Sequence, residues 1–185
     1  MQSCIEWDKI VDKWEEVGKS IYVIDTINKF SKNFSQKHML IGEHLHTIDD
    51  KSRVSLPSKF RKEMGNNVVI APGIDSCLFV FTLKGWREFA ERLSKPDSSS
   101  VLQADNRNFN RIIFGRATEV EVDSIGRILI PLHLCIHAGI KTKVAIIGVL
   151  NRVEIWDEKL WSSYRTTVEK KTDALAEKLG SAGIL

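Results

Sequence analysis

The chain has 185 residues, 43% of them hydrophobic and 28% charged, with a net charge of +3. Those proportions belong to a soluble globular chain and exclude a disordered, collagen-like or fibrous one. No apolar run nears the roughly 20 residues of a membrane helix, and the acidic N-terminus (Glu6, Asp8, Asp12) has no signal-peptide core, so a cytoplasmic protein is expected.

Residues 1–38 carry helical stretches such as Trp7–Trp14 and balance six basic against six acidic groups, so the whole +3 falls on 39–185. Met39 opens a strand-like segment. The block Thr47–Pro57 (TIDDKSRVSLP) then matches Glu121–Pro131 (EVDSIGRILIP). Asp49 and Asp123, Arg53 and Arg127, and Pro57 and Pro131 are each 74 positions apart, which marks an internal repeat. Each Pro leads into a short helical pattern, Ser58–Met64 and Leu132–Ala138, since Pro is favoured at helix starts. Gly65 and Gly139, again 74 apart, close these helices. Apolar strands follow (Val68–Ala71, Val144–Ile147), then a turn, a second strand (Cys77–Phe81, Val153–Trp156) and a helix holding Trp86 or Trp161.

Each unit therefore reads strand, turn, strand, short helix, strand, turn, strand, longer helix. A unit this small cannot bury both sheet faces alone, so two copies are expected to share one core in an α+β fold. The boundaries are an extension at 1–38, a first repeat at 39–94 and a Pro/Ser-rich linker at 95–101. The second repeat spans 102–170 and begins with a helix over 102–115 with Phe109, Ile112 and Ile113 on one face. A helical tail occupies 171–185, and 157–179 reads as one charged amphipathic helix.

Met39–His44 followed by Asp49–Arg61 resembles the opening of the MraZ family of bacterial DNA-binding transcriptional regulators of the division and cell wall gene cluster. The mark of that family is a D-x-x-x-R motif present twice, here Asp49…Arg53 and Asp123…Arg127. Arg107–Ala117 and Glu154–Asp157 also fit, and the resemblance covers about residues 39–170. It implies an AbrB-type double swapped-hairpin β-barrel with flanking helices, built within one chain from the two repeats. It also implies oligomeric rings, double-stranded DNA as partner, a nucleoid location and repression of the protein's own operon. Two departures stand out. Ser52 occupies the place of a family Gly that the second motif keeps as Gly126; it either bends the turn differently or needs no positive φ. The family pattern begins at Met39, so 1–38 is either a mis-assigned start or a true extension, the former being favoured.

Charge adds a local argument. Lys51, Arg53, Lys59, Arg61 and Lys62 crowd one stretch against two acids, a phosphate-contacting pattern. Asp49 and Asp123 are expected to orient their loops, by pairing with an Arg or by accepting turn N–H groups. Lys51, Arg53 and Arg127 become candidates for reading guanine edges, with the resemblance placing that role chiefly on the first motif; Arg127 could equally be structural. Lys59, Arg61 and Lys62 are either phosphate contacts or solvated helix charges.

Other constellations are weak. Cys4, Cys77 and Cys135 are odd in number and lack a C-x-x-C, so neither a disulfide framework nor a zinc site is expected. His133 and His137 have zinc spacing, yet Leu134 stands where a protease would need Glu. No nucleotide loop or nucleophile elbow occurs, so no enzyme, cofactor or small-molecule substrate is expected. The alternative is an AbrB-type antitoxin that binds a toxin protein and DNA; two copies and a helical C-terminal region disfavour it.

Overall fold

The computed structural model describes residues 39–94 and 104–182. The expectations for 1–38 and for the linker at 95–101 lie outside them.

The first repeat contributes β1 (Leu40–Thr47), β2 (Arg53–Ser55), α1 (Ser58–Met64), β3 (Asn67–Pro72), β4 (Leu78–Thr82) and α2 (Leu83–Ser94). The second contributes α3 (Ala104–Gly115), β5 (Thr118–Glu121), β6 (Arg127–Leu129), α4 (Leu132–His137), β7 (Lys143–Leu150), β8 (Val153–Asp157) and α5 (Glu158–Glu169). A last helix, α6, spans Thr172–Ser181.

Pairing crosses between repeats. β1 lies antiparallel to β7, from Leu40 opposite Leu150 to Thr47 opposite Lys143. Its counterpart β5 lies antiparallel to β3, from Asn67 opposite Glu121 to Ile70 opposite Thr118. Each repeat thus lends its first strand to the other. Together they form a six-stranded antiparallel sheet in the order β1-β7-β8-β4-β3-β5. β2 and β6 form a separate two-stranded ribbon with Val54 opposite Ile128. Those two residues are 74 positions apart, so the pseudo-twofold axis passes between them. β1 and β5 stand at the two ends of the six-stranded sheet, and the residues just past them, Ile48 and Val122, bridge to Val54 and Ile128 of the ribbon.

The core lies between the sheet, the ribbon and the short helices. It is built from repeat-equivalent pairs: Val54 with Ile128, Leu56 with Ile130, Phe60 with Leu134, Met64 with Ala138. All are buried, as alternation along a strand and a helical period of 3–4 would place them. Truncating Phe60, fully buried, would cost about 3–5 kcal/mol. The opposite sheet face carries Phe79, Phe81, Ile147 and Trp156, with Trp86, Phe89 and Trp161 packed over them.

Several elements differ from the sequence expectation. The region 157–179 holds two helices, because the Val168 carbonyl accepts from Lys171 N–H (2.8 Å) and Thr172 Oγ1 (3.3 Å), tightening the turn between α5 and α6. On α3 only Ile113 is buried, while Phe109 and Ile112 face outward; Phe114 instead meets Trp86 edge-on at 5.4 Å. Gly65 caps α1 with φ +75, whereas α4 ends at Ala138 and Gly139 follows with φ +61. The repeat offset grows from 74 at these glycines to 76 at Val68 and Val144, so the second repeat has two extra residues before its strand.

Candidate nucleic-acid interface

The ribbon is the place where both D-x-x-x-R motifs meet. Val54, Leu56, Ile128 and Ile130 point into the core. Alternation therefore sends Arg53, Ser55, Arg127 and Leu129 to the outer face. Arg53 stands opposite Leu129 and Arg127 opposite Ser55, so the two arginines are diagonal neighbours on one face. Leu129 is 52% exposed, an apolar side chain at the centre of a polar surface. Nothing but its odd place in the alternation marks it in the sequence.

Each motif closes a tight turn by the same bonds. Asp49 Oδ1 accepts from the N–H groups of Lys51 (3.0 Å) and Arg53 (2.8 Å). Asp49 Oδ2 accepts from Arg53 Nε at 2.8 Å and pairs with Nη2 at 2.8 Å. Asp123 Oδ1 accepts from Ile125 N–H (3.1 Å) and Arg127 N–H (2.8 Å), and Oδ2 from Arg127 Nε (2.8 Å). Each aspartate thus pairs with its own Arg and also accepts turn N–H groups. The Arg53 N–H bond, then the Arg53 side-chain bond, hold the Asp49 carboxyl below the usual carboxylate range. For Asp123 the Arg127 N–H bond is again the largest cause, opposed by some desolvation. Guanidinium carries five donors, so each Arg keeps N–H groups for a further partner. The pairs are not fully equivalent: Arg127 Nη1 also reaches Asp49 Oδ2 at 3.8 Å.

The turns also bind each other. Leu56 N–H donates to the Gly126 carbonyl and Ile130 N–H to the Ser52 carbonyl, both at 2.9 Å. Ser52 has φ +57 and Gly126 φ +83. Ser52 therefore adopts the same left-handed turn as its glycine counterpart, which corrects both expectations for it.

What covers the two turns differs. Arg61 on α1 lies over the second turn: its Nε donates to the Leu56 carbonyl (2.7 Å) and its Nη1 to the Ile125 carbonyl (2.8 Å). A Cβ at Gly126 would collide with that side chain. The residue equivalent to Arg61 is Cys135, buried on α4, whose Sγ donates to the Ile130 carbonyl at 3.7 Å. Burial pushes the Cys135 thiol up, and a hydrogen bond with Ser52 opposes it. A small cover leaves room for Ser52; a long one demands Gly126.

The remaining basic candidates are dispersed. Lys51 is exposed at the first turn's tip, while Lys59 and Lys62 are exposed along α1. None pairs with a carboxylate among the described residues. The second tip carries Ser124 and Ile125, the latter 58% exposed. The two helical histidines do not converge. His133 Nε2 meets the Arg116 carbonyl at 3.1 Å while Arg116 Nη2 donates to the His133 carbonyl at 2.8 Å; His137 Nε2 meets the Gly73 carbonyl at 3.2 Å. No helix among the described residues is long and apolar enough to cross a membrane.

A family model described as "MraZ protein, putative antitoxin-like" matches the chain twice, over residues 39–111 and 113–180. A protein of Caldicellulosiruptor bescii named transcriptional regulator MraZ is 44% identical over 146 residues, covering 79% of this chain and all of the relative. A protein of the same name from Caldanaerobacter subterraneus is 42% identical with the same coverage. One from Moorella thermoacetica is 43% identical over 141 residues, 76% of this chain and 96% of the relative.

Proposed function

This chain belongs to the MraZ family, and from that premise we propose that it is a sequence-specific, DNA-binding transcriptional regulator. The observation that carries the reading is the ribbon: two D-x-x-x-R turns set diagonally on one outward face, each arginine oriented by its own aspartate. A two-stranded ribbon has the width to enter the major groove, where guanidinium can bond guanine O6 and N7. Lys51, Arg53 and Arg127 read bases in this proposal, Leu129 supplies apolar contact of the kind a thymine methyl accepts, and Lys59 neutralises phosphate. Asp49 and Asp123 hold the arginines in register.

One ribbon spans few bases. The two-sheet core is taken as the family's swapped-hairpin barrel, and several barrels joined in a ring would multiply the readers without new contacts per reader. Repeated boxes in the promoter of its own division and cell wall operon are the proposed target, with repression as the outcome. Such a protein works in the cytoplasm at the nucleoid. The reading requires neither a catalytic group nor a cofactor. The antitoxin alternative keeps a place through the family's description; helices continuing to Ser181 favour the regulator.

The test is binding of the full chain to duplex from the gene's own upstream region and to a shuffled duplex, across a salt series, with Arg53→Ala beside it. The expected result is preference for the upstream duplex that Arg53→Ala abolishes. Equal binding to both duplexes by the native chain would sink the autoregulator and turn attention to a protein partner.

A further inference from the structure

We infer that Arg61 is a positioning residue for the second reading turn and not a phosphate contact. The inference rests on the DNA-binding reading above and assigns Arg61 a place within it. Arg61 sits on α1 of the first repeat, yet its guanidinium bridges two backbone carbonyls from different repeats. Nε holds Leu56 O at 2.7 Å, and Nη1 holds Ile125 O at 2.8 Å across 64 positions of sequence. Leu56 is itself bonded to the same turn through its N–H and Gly126 O. The side chain lies over Gly126, where an added Cβ would meet its Cδ, Nε and Nη1 and force it to shift. One fork of donors thereby ties Ile125 of the second turn to Leu56 of the first repeat. Arg127 follows Gly126 directly, so the bolt sets the direction in which Arg127 leaves the turn.

The first turn has no such bolt. Cys135 replaces Arg61 there, and its thiol meets Ser52 and Ile130 O instead. The second tip also lacks a cation equivalent to Lys51, having Ile125. Rigidity held by Arg61 takes the place of an extra charged contact.

Lysine separates the two roles. It keeps the charge that a phosphate contact needs but lacks the planar fork that bridges two carbonyls. The experiment measures upstream and shuffled duplex binding by the full chain for native protein, Arg61→Lys and Arg61→Ala. It runs across a salt series, with thermal melts to confirm folding. Amide hydrogen exchange is read alongside, at Gly126 and Leu56 for the second turn and at Ser52 and Ile130 for the first.

Both variants are expected to lose about tenfold in upstream-over-shuffled preference, the worth of one base contact, with the log–log salt slope unchanged. Adding Arg61→Lys to Arg127→Ala should cost little more, since both act on one reader. Exchange should quicken about tenfold at Gly126 and Leu56 and stay as it was at Ser52 and Ile130.

A lysine variant that binds as the native protein does, with the alanine variant losing about 0.9 of salt slope, would make Arg61 a phosphate contact and overturn the inference. Unchanged exchange at Gly126 and Leu56 in Arg61→Lys would overturn it as well, even if DNA binding fell. If the native chain does not discriminate, the DNA reading itself falls and the reading role of Arg61 with it; the exchange pattern still decides whether the bolt exists.

Discussion

The corner at Ser52 and the corner at Gly126 are the same turn built twice under different covers, Cys135 and Arg61. Both hold an Asp–Arg pair, both adopt a left-handed fourth residue, and both accept an N–H from the opposite repeat. Among the described residues, only the second is also spanned by the guanidinium of Arg61. The difference teaches that sequence symmetry need not carry over into function once two copies share a chain. A dimer of identical single repeats would have to place one residue type at both covers. Here Arg61 and Cys135 have parted, and Gly126 and Ser52 have parted to match.

The strongest way to break the comparison is at the arginines. Arg53→Ala should reduce upstream-over-shuffled preference by about 10- to 100-fold, as loss of a good bidentate base contact implies. Arg127→Ala should cost less, about five- to tenfold by the same reasoning, because its tip adds no lysine. Competition binding on the two duplexes reads both. Equal losses would mean that the two corners are equivalent readers despite their packing.

Stability tests the packing directly. Gly126→Ala must force a left-handed φ on alanine and push Arg61 aside, at about 2–4 kcal/mol from strain and overpacking together. Ser52→Ala keeps a conformation already adopted by a residue with a Cβ and loses only a hydroxyl bond, about 1 kcal/mol or less. Denaturant midpoints at constant slope would show the gap between them. Ser52→Gly sharpens the same contrast in the other direction: relief of the left-handed serine should raise stability by about 0.5–1 kcal/mol.

The smallest difference is expected in acid. Both aspartate carboxyls are held below the ordinary value, so each contributes stability above about pH 4 that is lost as pH falls through its folded pKa. Carboxyl NMR titrations should place both below the ordinary value and close together, since the N–H of the motif's own Arg is the first cause for each. A clear separation would show that the Arg127 approach to Asp49 at 3.8 Å matters more than its length suggests.

Much of this architecture is legible in the residues. The 74-residue offset, the Pro-led helices and the alternating strands are local patterns, and a repeated local pattern is hard to misread. Contacts between repeats are a different matter. Nothing near Arg61 in sequence points to Ile125, so its charge reads as one more cation in a basic stretch; only the fold shows the carbonyls that occupy it. Ser52 misleads for a related reason, because its backbone is set by the Asp49 carbonyl that accepts its N–H and by the Ile130 N–H that its own carbonyl accepts, not by its own preference. The division of 157–179 into α5 and α6 turns on one carbonyl, that of Val168, which periodicity cannot see. On α3 Ile113 is buried where the helix packs on β3, and Phe114 meets Trp86, partners far away in the chain that the helical period alone does not reveal.

The exchange of first strands has a consequence for synthesis. As the nascent chain leaves the ribosome, the first repeat emerges with β1 lacking β7 and β3 lacking β5, and with half of every core pair missing. The β3 edge must wait for β5 at Thr118–Glu121, and the β1 edge for β7, which begins 96 positions after β1 ends. A translational pause between the repeats would therefore prolong a state with open strand edges, and two such chains on one messenger could trade partners. Codon choice and chaperone capture across residues 95–143 then become determinants of yield, independent of how stable the finished molecule is.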